Sequence, residues 1–290
     1  MLLVVFTVTN NSYAIDRDKY VTSKFSNENF PLASNGKVAS ILMSDDDFSG
    51  VKRVVGHLQT DIFNVTDSKP NIMMTNSSSE DYVVIIGTLG KSTIINELVK
   101  TGKIKTKDLK GKWEKFITQI VENPMPGVKK ALVISGSDKR GTIYGIYDLS
   151  NQIGVHPWHF WADVPAKKQS ELHVLPGEHT QGEPKVKYRG LFINDEDPCL
   201  KNWSVETFGG LNSGLYDKVF ELVLRMKGNY IWPAMWGKKF YVDDPKNGAL
   251  ADEYGIVMGT SHHEPLTRAH AEWQKSEHGE WDYQTNADGL

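Results

Sequence analysis

Three short apolar runs near the end of the chain constrain its fold more than anything else in it. Tyr188-Arg-Gly-Leu-Phe-Ile-Asn-Asp-Glu-Asp197 ends in carboxylates, and Asn229-Tyr-Ile-Trp-Pro-Ala-Met-Trp236 ends in tryptophan. Gly255-Ile-Val-Met-Gly-Thr-Ser-His-His-Glu-Pro265 ends in histidines and a carboxylate. Between the first two, Tyr216, Val219, Phe220, Val223 and Leu224 fall at the i, i+3, i+4, i+7, i+8 spacing of an amphipathic helix. Lys227-Gly-Asn closes that helix. A shorter helix, Ala249 to Tyr254, precedes the third run. Strand, helix, strand, helix, strand with short connections predicts parallel βαβ units. Functional side chains gathered at strand C-termini are how a (β/α)8 barrel builds an active site. A closed barrel takes roughly 250 residues, and only Lys185 to Leu290 remain for it. The expectation is the first strands of an incomplete TIM-like barrel, from a fragment or a truncated reading frame.

Upstream, the pattern is α/β. Val38-Ala-Ser-Ile-Leu-Met43, Tyr82-Val-Val-Ile-Ile86 and Ala131-Leu-Val-Ile134 read as strands. Val51, Val54, Val55, Leu58 and Ile62 recur at helical spacing between Ser49 and Asn64. Lys91 to Thr101 reads as a helix or a loose turn. Thr142 to Ile153 reads as a helix entered by Gly141 and closed by Gly154. Residues 105–128 are expected to be helical, carrying Trp113, Phe116 and Ile120, and 198–214 to be a long loop. Residues 166–185, rich in Lys, Gly, Glu and Pro, read as a boundary strand and linker. His270 to His278 is expected to begin another helix. At the N-terminus, Met1-Leu-Leu-Val-Val-Phe-Thr-Val followed by Ser12-Tyr-Ala14 reads as an export signal, although it lacks a basic leading region. The domain expectation is therefore a signal peptide over 1–14, an N-terminal α/β domain over 15–180 and a partial barrel over 181–290. The expected location is periplasmic or extracellular. No other run approaches the roughly 18 apolar residues of a membrane span, so no membrane partner is expected.

Composition narrows the function. Net charge is −3, and the Lys and Arg residues are scattered, which argues against a nucleic-acid partner. The single cysteine, Cys199, permits no intramolecular disulfide and no thiolate zinc site; it reads as a small buried hydrophobe. Of eight tryptophans, six (Trp158, Trp161, Trp203, Trp232, Trp236, Trp273) lie between residues 158 and 273. Flat indoles stack on sugar rings but also fill cores.

Two motifs fail their tests. Ile86-Gly-Thr-Leu-Gly-Lys-Ser-Thr93 lacks the first glycine of a P-loop, because position 85 is Ile85. It reads as a strand-to-helix turn. His263-Glu264 lacks the second histidine of a helical zinc motif, since position 267 is Thr267, and Pro265 opposes a helix there. No metal is expected.

The candidate site lies at the three strand ends. Asn194, Asp195, Glu196 and Asp197 crowd the end of one strand, where carboxylate repulsion needs a compensating role. Trp232 and Trp236 could be barrel core, but Pro233 breaks the second strand just after Trp232, which places Trp236 in the loop at the barrel mouth. After the third strand, His262, His263, Glu264 and Arg268 suggest a polar, even anionic, substrate. Carboxylates beside aromatic rings point to a carbohydrate-processing enzyme.

The runs at 190–196, 228–237 and 250–265 resemble glycoside hydrolase family 115. Ile134-Ser-Gly-Ser-Asp-Lys-Arg-Gly-Thr-Ile-Tyr-Gly-Ile-Tyr-Asp-Leu-Ser150 and Pro157-Trp-His-Phe-Trp-Ala-Asp-Val-Pro165 look like the same family's N-terminal domain. The resemblance implies a xylan α-1,2-glucuronidase acting on glucuronoxylan or aldouronic acids, inverting the anomeric centre, with no metal or organic cofactor. It implies Asp195 or Glu196 as the pocket carboxylate and Trp236 stacking on sugar. His262 would contact the uronate or its hydroxyls, with His263 and Glu264 near it. It also implies later barrel strands and C-terminal domains as partners that this chain lacks; a homodimer is compatible with it. Competing readings are a hexosaminidase-like exo-glycosidase and a non-catalytic carbohydrate-binding fragment.

Overall fold

The computed structural model describes residues 19–193, 196–234, 237–260, 269–273 and 275–290. In chain order the first elements are β1 (Val21–Thr22), β2 (Phe30–Ser34), β3 (Lys37–Val38), β4 (Ser40–Met43) and α1 (Ser49–Thr66). Next come β5 (Ile72–Met74), β6 (Tyr82–Thr88), α2 (Thr93–Lys100), β7 (Phe116–Glu122), β8 (Lys130–Gly136) and α3 (Lys139–Gln152). Then follow β9 (Leu172–Val174), β10 (Glu178–Gln181), β11 (Gly190–Phe192), a π-type turn over Glu196–Leu200, α4 (Lys201–Phe208) and α5 (Ser213–Arg225). The last are β12 (Tyr230–Trp232), α6 (Phe240–Asp243), α7 (Lys246–Tyr254), β13 (Val257–Met258), a 3-10 turn over His270–Glu272 and α8 (Lys275–His278).

The central sheet has the order β10-β7-β8-β6-β4-β5. Strands β8, β6, β4 and the edge strand β5 are mutually parallel, whereas β7 runs antiparallel to both its neighbours, β8 and β10. Covered on both faces, β6 and β8 are near-continuous apolar runs. On one side α1 inserts Val51, Val54, Val55, Leu58, Ile62 and Val65, all fully buried. A small antiparallel sheet, β1-β9-β2-β3, sits beside it. The chain of 166–185 is thus more than a connection: β9 pairs with β1 and β2, and β10 pairs with β7. Among the described residues no helix is long and apolar enough to cross a membrane.

Two sequence expectations are corrected. Residues 105–128 are not helical; they turn and then form β7. Gly111 (φ 75°) and Glu114 (φ 52°) adopt left-handed backbone that interrupts a helix. Phe116-Ile-Thr-Gln-Ile-Val-Glu122 is rich in the β-branched residues that suit a strand, and β8 and β10 pair with it on its two sides. Residues 198–214 are not a long loop, because the π-type turn and α4 together occupy most of them and Gly209 closes α4 at φ 82°. Only Ser204 of that helix is buried, so no apolar stripe marked it. The turn after β6 is as expected: α2 starts at Thr93.

The last third forms a separate parallel sheet, β11-β12-β13. Leu191 pairs with Ile231, and Ile231 with Met258. The expected βαβ units are present, and among the described residues they do not close a barrel. Their helices lie on the N-terminal layer: one core unites Val54, Leu58, Tyr144 and Tyr147 with Leu215, Tyr216, Phe220 and Tyr254. A buried ion network crosses the same seam. Arg225 of α5 binds both oxygens of Asp61 on α1 (2.9 and 3.1 Å) and Glu221 Oε1 (2.9 Å), and lies over the Tyr147 ring at 4.5 Å. Replacing one member of such a buried pair costs about 3–5 kcal/mol, because it strands the other charge.

Candidate functional site at the strand ends

Because β11, β12 and β13 are parallel, their C-terminal ends share one edge. Ile193 N–H donates to the Trp232 carbonyl (3.0 Å) and Gly259 N–H to the Ile231 carbonyl (2.9 Å), extending the ladder toward that rim. Strand alternation sends Leu191, Ile231 and Met258 into the helix-side core. Phe192, Tyr230 and Trp232 take the opposite face, which in a barrel is the interior. The Trp232 ring meets Phe192 edge-to-face at 5.1 Å, and its Nε1 donates to Tyr230 Oη. Gly259 makes room for this pair: a Cβ there would sit 1.6 Å from Tyr230 Oη and 2.6 Å from Trp232 Nε1. Trp232 is therefore a packed, half-buried member of an aromatic strand face.

The acidic run divides at the rim. Glu196 opens the turn after β11 with its side chain fully buried. Asp197, extended at φ −128° and ψ 126°, points to solvent instead. Its Oδ2 accepts from Lys201 Nζ at 3.0 Å and lies 3.7 Å from Lys238 Nζ. Two lysines thus offset one carboxylate, while the protein encloses the other. Sequence reasoning did not single out Lys201 or Lys238. Only the four-residue step from Asp197 to Lys201 carried a signal. Cys199, expected to be buried, is exposed, since it lies on a surface turn with no core face to enter. A carboxyl fixed beside a barrel rim is the type of group that general acid–base chemistry requires. Asn194, Asp195, Trp236, His262, His263, Glu264 and Arg268 lie outside the described residues. Among the described residues no three His, Cys, Asp or Glu side chains are grouped to hold a metal ion.

Residues 181–290 match the model of glycosyl hydrolase family 115. A solved family GH115 4-O-methyl-α-glucuronidase, with specificity for decorated arabinogalactans, is 32% identical, with a TM-score of 0.76. The alignment covers 90% of this chain and 33% of that one, so the chain spans about a third of the length of that relative. A mutant Streptomyces plicatus β-hexosaminidase is also similar (TM-score 0.47, 9% identity, 81% of this chain and 43% of that one). So is a Flavobacterium johnsoniae chitobiase (TM-score 0.43, 13% identity, 83% and 33%). No curated protein matches the chain. Through residues 181–290, where the strand-end motifs lie, this chain belongs to glycosyl hydrolase family 115.

Proposed function

We propose that the chain is the N-terminal part of an exported α-glucuronidase that releases glucuronic acid, or its 4-O-methyl form, from polysaccharide side branches. What supports this reading above all is the 32% identity, across 90% of the chain, to a solved 4-O-methyl-α-glucuronidase. Asp195 and Glu196 are the candidate pocket carboxylates, one to protonate the leaving oxygen or to activate water. Trp236 is the candidate stacking residue, and Trp232, on the strand face, is a weaker candidate for the same role. Asn194, His262, His263, Glu264 and Arg268 are candidates to hold the uronate and its hydroxyls. Inversion would require two carboxyl groups roughly 6.5–9.5 Å apart, leaving space for the attacking water. One partner of that pair would come from later strands.

Xylan is the first substrate to test. A decorated arabinogalactan is the second, because the solved relative is specific for that class. The natural-length protein is incubated with each polysaccharide, and free uronic acid is followed by chromatography. Release from glucuronoxylan with an intact backbone supports the xylan reading. Release only from arabinogalactan moves the substrate. No release from either, by a well-folded protein, refutes the activity. Proton NMR of the first-formed uronic acid tests the mechanism, since inversion yields the β-anomer first.

A further inference from the structure

We infer that Glu114 is a positioning residue: one buried carboxylate of the N-terminal layer fixes the three barrel strands relative to one another at their N-terminal ends. Glu114 lies in the turn before β7, far in sequence from the strands it serves. Its side chain is 0% exposed and takes three side-chain donors. Oε2 accepts from Arg189 Nη2 at 2.6 Å, directly ahead of β11. Oε1 accepts from Asn229 Nδ2 at 2.7 Å, directly ahead of β12. Oε1 also accepts from Arg140 Nε at 2.5 Å, and Arg140 Nη1 donates to the Gly255 carbonyl at 2.9 Å, just ahead of β13. Every barrel strand described is therefore joined to one carboxylate, two directly and one through Arg140.

The surrounding bonds make the hub specific. Arg189 also donates to the Lys227, Val186 and Lys187 carbonyls and to Tyr144 Oη. Asn229 Oδ1 accepts from Arg189 N–H at 2.9 Å, which clamps the start of β11 to that of β12. Tyr144 Oη donates to the Gly228 carbonyl at 2.8 Å. Glu114 itself holds a left-handed backbone (φ 52°), and its N–H donates to Asp138 Oδ2 at 2.7 Å. The other oxygen of Asp138 caps α3 through Gly141 N–H. A non-glycine residue persists in that conformation only where its surroundings over-determine it, and such residues gather where geometry matters. Charge-assisted bonds to a guanidinium fork are also the strongest and most directional available to a carboxylate. Because the strands are short, register set at their starts carries to their C-terminal ends at Ile193, Trp232 and Gly259. Its bearing on catalysis rests on the proposed glycosidase reading. The hub itself does not, and the test below uses no activity.

Amide hydrogen exchange is measured on the full chain with Glu114→Gln, which keeps an acceptor for Asn229 but removes the charge facing Arg140 and Arg189. Exchange should accelerate about tenfold or more in 189–193, 229–232 and 256–259, while β6 and β8 keep their protection. Arg189→Lys keeps a cation but loses the fork, so it should show the same localised pattern more weakly; it also serves if Glu114→Gln does not fold. Unchanged exchange in the three strands would overturn the proposal. So would equal acceleration across β6 and β8, because that marks ordinary loss of stability.

Discussion

Glu196 and Asp197 are adjacent in sequence and opposite in surroundings. One is enclosed by protein; the other faces solvent and two lysines. A proton-transfer role is therefore argued for Glu196 rather than Asp197. Glu196→Gln in the natural-length protein should cut release of uronic acid by about 100-fold or more, read from turnover at saturating substrate. Near-normal turnover would reject the role. A second residue-scale prediction concerns two histidines. Burial pushes the His57 ring below its usual pKa, Glu221 opposing and Arg225 reinforcing the shift. Burial and Arg225 do the same to His159, again against Glu221. Both rings stay neutral to lower pH in the folded chain than in the unfolded one. Their contribution is thus full above about pH 6.5 and is lost as pH falls through that value toward the folded pKa. Burial raises the Glu221 pKa, but Arg225, His57 and Lys218 outweigh it and hold it at about 2. Its contribution is present above the ordinary carboxylate range and is lost in stronger acid. The melting temperature should therefore drop between about pH 7.5 and 5.5; a flat or rising curve would contradict this assignment.

At the scale of elements, α1 is the helix on which the two halves meet. Its first turn approaches the end of α7 so closely that a Cβ on Gly50 would lie 1.9 Å from the Glu253 carbonyl oxygen. Gly50→Ala should cost about 1–3 kcal/mol, read from a denaturant midpoint, because backbone gives way less readily than a side chain. Gly56 on the same helix has nothing within 4 Å of its Cβ position. Gly56→Ala should instead gain about 0.5–1 kcal/mol from helix entropy. Equal effects at the two sites would mean that the α1–α7 approach is not close. The long helices were legible beforehand, since the buried stripes of α1 and α5 are set by their own spacing. β7 was not. Phe116 and Ile120 fit a helical step as well as a strand, and only pairing with β8 and β10 separates the two. Nor was α4 legible, since a helix with one buried residue has no periodicity to read.

For the whole molecule, the barrel strands and the N-terminal layer share one core. Tyr216, Phe220 and Tyr254 are at most 1% exposed, and α1 and α3 cover the helices that carry them. A fragment of residues 182–290 alone would present those rings and the Arg225 network to water. It should give no cooperative thermal transition and should bind a hydrophobic dye; a sharp transition with low dye binding would contradict this.

Most strands and helices, though not β7 or α4, were determined by the sequence, because periods of two and of 3.6 residues are written locally in which side chains are apolar. That Glu196 follows the end of β11 and Trp232 ends β12 was legible for the same reason, because each is fixed by where its strand stops. What only the tertiary structure decided is which surfaces meet. Asp61 finds Arg225, Glu114 finds Arg189 and Asn229, and Arg53 finds Glu253 (2.9 Å) across separations that leave no pattern along the chain. The physical reason is that a charge can be buried only where folding brings its partner, and a list of residues does not record that meeting.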